Sequence, residues 1–157
     1  YTTLFRSRLN RSLVKQEKVA NDVGVGYDMV SRGPALFVIN ATLAKGKTVE
    51  QDKASIQKAL KDVQQNGILE SELKRIQVRI LSEQIYKRDS IFGQAMEIGG
   101  TEMAGFSWKD IDYMLEKMQT ITPEQVQAVA KKYLVDEGLT IAVLDPQARA
   151  SAGKEGK

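Results

Sequence analysis

Apolar residues recur along this chain at two spacings, and the change from one to the other marks its elements. From Arg8 to about Ala20, Leu9, Leu13 and Ala20 stand among Arg, Lys and Gln, a pattern that predicts a helix. Val23, Val25, Tyr27 and Met29 then share one face of a predicted strand, and Leu36 to Ala41 predict a second. Ser31-Arg32-Gly33-Pro34 between them predicts an antiparallel hairpin. Thr48 with Gln51 forms a capping box, which satisfies backbone N–H groups that a helix start leaves orphaned. The helix it opens carries Ile56, Ala59, Leu60 and Val63 on its buried face and stops near Asn66-Gly67.

A long helix is predicted next, from about Glu70 to Ile98, with Leu73, Ile76, Ile80, Ile91, Ala95 and Ile98 inward and Gly99-Gly100 closing it. Ser107 can cap a shorter helix from Trp108 to about Met118, with Trp108 and Tyr113 on its packing face. Thr122, Pro123 and Gln125 mark the start of another: an N-cap, a first-turn proline that needs no N–H, and the second half of a capping box. Val126, Val129, Ala130 and Tyr133 form its buried stripe, while Glu124, Gln127, Lys131 and Lys132 face water. After Gly138, Leu139, Ile141 and Val143 alternate with Thr140, Ala142 and Leu144 up to Asp145-Pro146, which predicts a short buried strand. The predicted order is helix, hairpin, four helices, strand. Three strands are too few to cover the apolar faces of so many helices, so the sheet is expected to be incomplete. Residues 147–157 are small and polar and are predicted to be disordered.

Composition narrows the chemistry more than the fold. A chain of 157 residues with 42% hydrophobic content supports one core and one domain. Its 23 Lys and Arg against 20 Asp and Glu are spread over several helices, which argues against nucleic acid or an anionic membrane as the main partner. With no cysteine there are no disulfides and no thiolate chemistry, although the compartment is left open. With no histidine the usual general base and the commonest zinc ligand are absent. No apolar run approaches the ~18 residues of a membrane span, and the chain does not open on a signal peptide. Tyr1 to Ser7, YTTLFRS, matches the translation of a widely used sequencing-adapter oligonucleotide. The segment is therefore set apart from the fold as a scar, with the natural domain expected over 8–146 and its true N-terminus and targeting signal missing.

Four motifs carry possible chemistry, each with a plain structural alternative. Ala44 to Thr48, AKGKT, resembles the end of a P-loop, but GxxxxGK[ST] would need a glycine where Ala41 stands. A flexible, solvated turn leading into a capped helix accounts for it better. Gly24 and Gly26 leave one strand face bare, which suits helix packing or a bulge, or else an extended peptide or partner domain. Glu70 with Glu72 and Asp110 with Asp112 are paired acids, but each pair opens a helix, where negative charge meets the macrodipole favourably. Lys87-Arg88-Asp89 reads as a solvated or salt-bridged helix face.

Taken together, SRLNRSLVKQEKVANDV, GPALFVINATLAKGKTVE, GILESELKRIQ, KRDSIFGQAMEIGG, ITPEQVQAVAKKYL and LTIAVLDP follow a recognisable order and spacing. Over about Arg8 to Pro146 the chain resembles the C-terminal, non-zinc-binding domain of the pitrilysin/insulinase family of zinc metallopeptidases. The resemblance implies an α+β fold, a mostly antiparallel sheet backed by helices on one face, with the opening strands missing from this chain. It also implies a catalytic zinc-binding domain or subunit as partner, carrying HxxEH and a further glutamate ligand. There zinc would polarise the scissile carbonyl and activate water, with the HxxEH glutamate as general base. The chain itself would hold no cofactor and would form a wall of the chamber that encloses the peptide substrate. A periplasmic location is a further expectation from the resemblance.

One family feature does not carry over. Many members have in this half an arginine and a tyrosine, seven residues apart, that contact substrate; the matching positions hold Val14 and Asn21. Valine has no guanidinium fork and asparagine no phenol. Either the parent grips peptide in another way, or this half is mainly structural, or the matched register is displaced. The leading expectation is a non-catalytic domain of a bacterial zinc metalloendopeptidase. A non-catalytic partner subunit or interaction protein of the same family is the second reading, and a nucleotide-binding module the third.

Overall fold

The computed structural model describes residues 2–145. Helix α1 (Thr2–Leu9) runs directly into a π-helical segment, Asn10–Gln16, in which the Glu17 N–H donates to the Ser12 carbonyl at 2.8 Å, five residues back. Lys18 then takes a left-handed φ of 52°, which turns the chain into strand β1 (Ala20–Gly26). The first helix therefore starts well before Arg8 and ends before Ala20. The reason is visible in the core: Leu4 and Phe5 are 2% and 4% exposed, beside the fully buried Leu9 and Leu13. Leu4 and Phe5, within the segment set apart on the sequence, thus pack into the core. Phe5 also meets Phe37 edge to face, with ring centroids 5.4 Å apart, an arrangement favoured by the ring quadrupoles.

β1 pairs antiparallel with strand β2 (Val38–Leu43), in the register Val23↔Ala41, Gly24↔Asn40, Val25↔Ile39 and Gly26↔Val38. A bulge interrupts the ladder between Ala20 and Asp22. Both strands differ in extent from those predicted. Tyr27, Met29 and Leu36 fall in the long connection and are exposed, because the ladder closes at Gly26↔Val38. Val23, Val25, Ile39 and Ala41 point toward the helices, and Gly24, Asn40 and Thr42 lie on the other face.

Helix α2 (Val49–Asn66) begins at the predicted capping box of Thr48 and Gln51 and ends at Gly67, whose φ of 71° suits glycine. Helix α3 (Glu70–Lys87) turns Leu73, Ile76 and Ile80 inward as the periodicity required. The predicted continuation to Ile98 does not form. Arg88 to Ser90 break the helix, and the Ser90 hydroxyl caps a new one, α4 (Ile91–Met103), by accepting from the Gly93 N–H at 3.0 Å. Among the described residues nothing packs over this helix closely enough to bury Ile91, Ala95 or Ile98, which are all exposed. Gly99-Gly100 lie within α4, not at its end.

Helix α5 (Asp110–Gln119) starts later than predicted. Asp110 accepts from the Ser107 N–H at 2.8 Å, and the Ser107 hydroxyl accepts from Lys109, so Trp108 is left in the turn. Trp108 and Tyr113 are exposed, each with a lysine ammonium over its ring, Lys109 and Lys117. Helix α6 (Pro123–Tyr133) has the predicted capping box, and buries Val126 and Ala130 against α2. Val129 and Tyr133 lie off the contact stripe and remain exposed. Gln127 is half-buried, since its amide donates to the Gln64 and Gln65 carbonyls while Gln64 donates back to those of Ala130 and Leu134.

After a 3₁₀ turn at Asp136–Gly138, residues 139–145 are not in a strand. Leu139, Ile141, Val143 and Leu144 are exposed, and no ladder partner lies beside them among the described residues. A strand needs a neighbour for its backbone groups, and the alternation alone cannot supply one. The predicted disordered stretch, 147–157, lies outside the described residues. The fold is α+β, an antiparallel pair of strands with helices packed against one face.

Candidate functional site

The hairpin's outer face is where the two marked glycines fall. Gly24 is not bare: a Cβ there would stand 2.9 Å from Asn40 Nδ2, so the asparagine side chain reaches over it from the neighbouring strand. Gly26 is open, with nothing within 4 Å of such an atom. The two glycines thus share a face, and one of them is already covered. Sequence reasoning missed Asn40, because cross-strand neighbours depend on register and the bulge sets the register.

Val14 and Asn21 come to rest in different settings. Val14 lies in the π-helical segment and packs against the core. Asn21 is the extra residue of the bulge, and its amide donates to the Leu43 carbonyl at 3.1 Å. A side chain committed to a strand carbonyl and another turned toward the core make no recognition pair.

Next to these positions is a polar knot that the sequence did not mark. Glu17 accepts from the hydroxyls of Ser55 and Ser12 and from the Lys58 ammonium. The Ser55 hydrogen bond, aided by Lys58, holds the Glu17 carboxyl below the ordinary range despite desolvation. One turn before Ser55, Asp52 is buried, its Oδ1 has no partner among the described residues, and burial raises its pKa. Asp52 and Ile56 stand four residues apart, so the helical period that marked Ile56 as inward could have revealed it.

The paired acids are used structurally. Arg8 grips Glu72 with two hydrogen bonds, at 3.0 and 2.8 Å, and reaches Asp62 at 3.0 Å, tying α1 to α2 and α3. Hydrogen bonding to Glu72 raises the Arg8 pKa, with burial opposing it. Asp112 pairs with Arg88, and Lys87 with Glu97, so the Lys87-Arg88-Asp89 run is salt-bridged at the helix break. AKGKT forms a β-turn closed by the Lys47 N–H on the Ala44 carbonyl at 3.0 Å, and the Thr48 hydroxyl is spent on the cap. Among the described residues no three His, Cys, Asp or Glu side chains converge as metal ligands, and no helix is long and apolar enough to cross a membrane.

One further surface is a groove of about 820 Å³ between the start of α3 and the α5–α6 turn. Ile68, Leu69, Leu73, Ile121 and Pro123 give it apolar walls, and Gln77 holds the turn by donating to the carbonyls of Met118, Gln119 and Ile121.

These features define an α+β domain with exposed apolar helices and with polar groups that tie its own elements together. Residues 3–79 match the Peptidase M16 inactive domain, in line with a C-terminal domain of that family. Solved structures with this fold include the inactive peptidase domain of a candidate zinc protease from Bordetella parapertussis, at 19% identity and a TM-score of 0.77. That likeness covers 94% of this chain and 82% of the other. A candidate zinc protease from Bordetella pertussis Tohama I follows at 20% identity and a TM-score of 0.72, over 84% of this chain and 72% of that one. The peptidase M16 inactive domain from Pseudomonas fluorescens is 25% identical, with a TM-score of 0.59, over 80% of this chain and 29% of that one. Comparison with curated proteins returned no match.

Proposed function

We propose that this chain is the non-catalytic domain of a bacterial zinc metalloendopeptidase, packing on a zinc-bearing half and forming one wall of the chamber in which peptide is cut. The observation that carries the reading is the match to an inactive peptidase domain in a chain with no histidine or cysteine. HxxEH chemistry, with zinc activating water and glutamate as general base, then belongs to the partner half. The large apolar side chains left in water along α3 and α4, among them Ile85, Ile91 and Phe92, support a domain that packs against another body. Substitution of both substrate-contact positions supports a shaping role in the chamber more than a gripping one. A periplasmic setting accompanies this reading.

Zinc analysis of the dialysed chain provides the test. The reading expects metal far below one ion per chain and no cleavage of a mixed peptide library. Stoichiometric zinc that survives dialysis, or cleavage by the chain alone that a chelator abolishes, would overturn it.

A further inference from the structure

We draw no further inference here: the strongest candidate, the apolar surface that α3 and α4 leave exposed around Ile85, Ile91, Phe92 and Met96, carries nothing because no feature of the structure shows what covers it.

Discussion

Replacing Phe5 with alanine tests whether the first turn of α1 belongs to the core. Phe5 is 4% exposed and stands edge to face with Phe37 at 5.4 Å. Emptying such a site forfeits the transfer free energy of the ring and leaves a cavity, together about 3–5 kcal/mol, of which the aromatic pair accounts for roughly 0.5–1.5 kcal/mol. Domains of this size have a total stability of about 5–15 kcal/mol, so the loss is a large share of it. With a urea m-value of about 2 kcal/mol/M, the midpoint should fall by roughly 1.5–2.5 M. Far-UV circular dichroism is the suitable probe, since Trp108 is half exposed and reports poorly on the core. Arg6→Ala, one position along and exposed, is the control and should stay within about 0.5 kcal/mol of wild type. A double-mutant cycle with Phe37→Ala isolates the ring pair. If Phe5→Ala and Arg6→Ala had equally small effects, the packing of residues 2–9 described here would be wrong.

Further substitutions probe the polar framework. Arg8→Met should destabilise by about 1–3 kcal/mol in thermal or urea melts, because Glu72 is left part-buried without its fork; the exposed side of the network tempers the loss. The folded-state pKa of Glu17 is depressed, so its contribution is present above pH 4.5 and disappears as pH falls through the lower folded value; Glu17→Gln should flatten that part of a stability–pH profile. Asp52 has the opposite sign. Its raised pKa means that burial of the charged form costs stability above pH 3.8, so Asp52→Asn should be more stable than wild type at pH 7 in urea melts, with the gain vanishing below pH 3.8. Gln77→Ala should cost about 1–3 kcal/mol and speed amide exchange in the α5–α6 turn, whose carbonyls it holds.

Features written in short stretches of sequence were legible. Thr48 with Gln51 and Thr122 with Gln125 form the expected caps because both partners lie within one turn. The antiparallel hairpin and the inward Leu73, Ile76 and Ile80 followed from periodicity. Features that depend on distant neighbours were not. The apolar stripe of Leu73, Ile76 and Ile80 resumes in phase at Ile91 beyond the polar Lys87–Ser90, so only the competition between the α3 ladder and the Ser90 cap reveals the break. Leu139 to Leu144 alternate like a strand but have no ladder partner among the described residues. At the hairpin, the glycine strip was legible, whereas Asn40 over Gly24 and the Asn21 bulge bond depend on a register that the strand pattern alone does not specify. Leu4 and Phe5 lie within the segment that matches an adapter, yet Leu9 and Leu13 continue their helical stripe.

As a non-catalytic domain, the chain is expected to serve a zinc-bearing half without supplying ligands or catalytic groups. Reconstitution tests it most directly: the zinc-bearing half of the same peptidase is assayed on a peptide library with and without this chain. The chain should co-elute with that half and raise its zinc-dependent cleavage while showing none alone. Failure to associate, with the zinc-bearing half equally active in its absence, would contradict it.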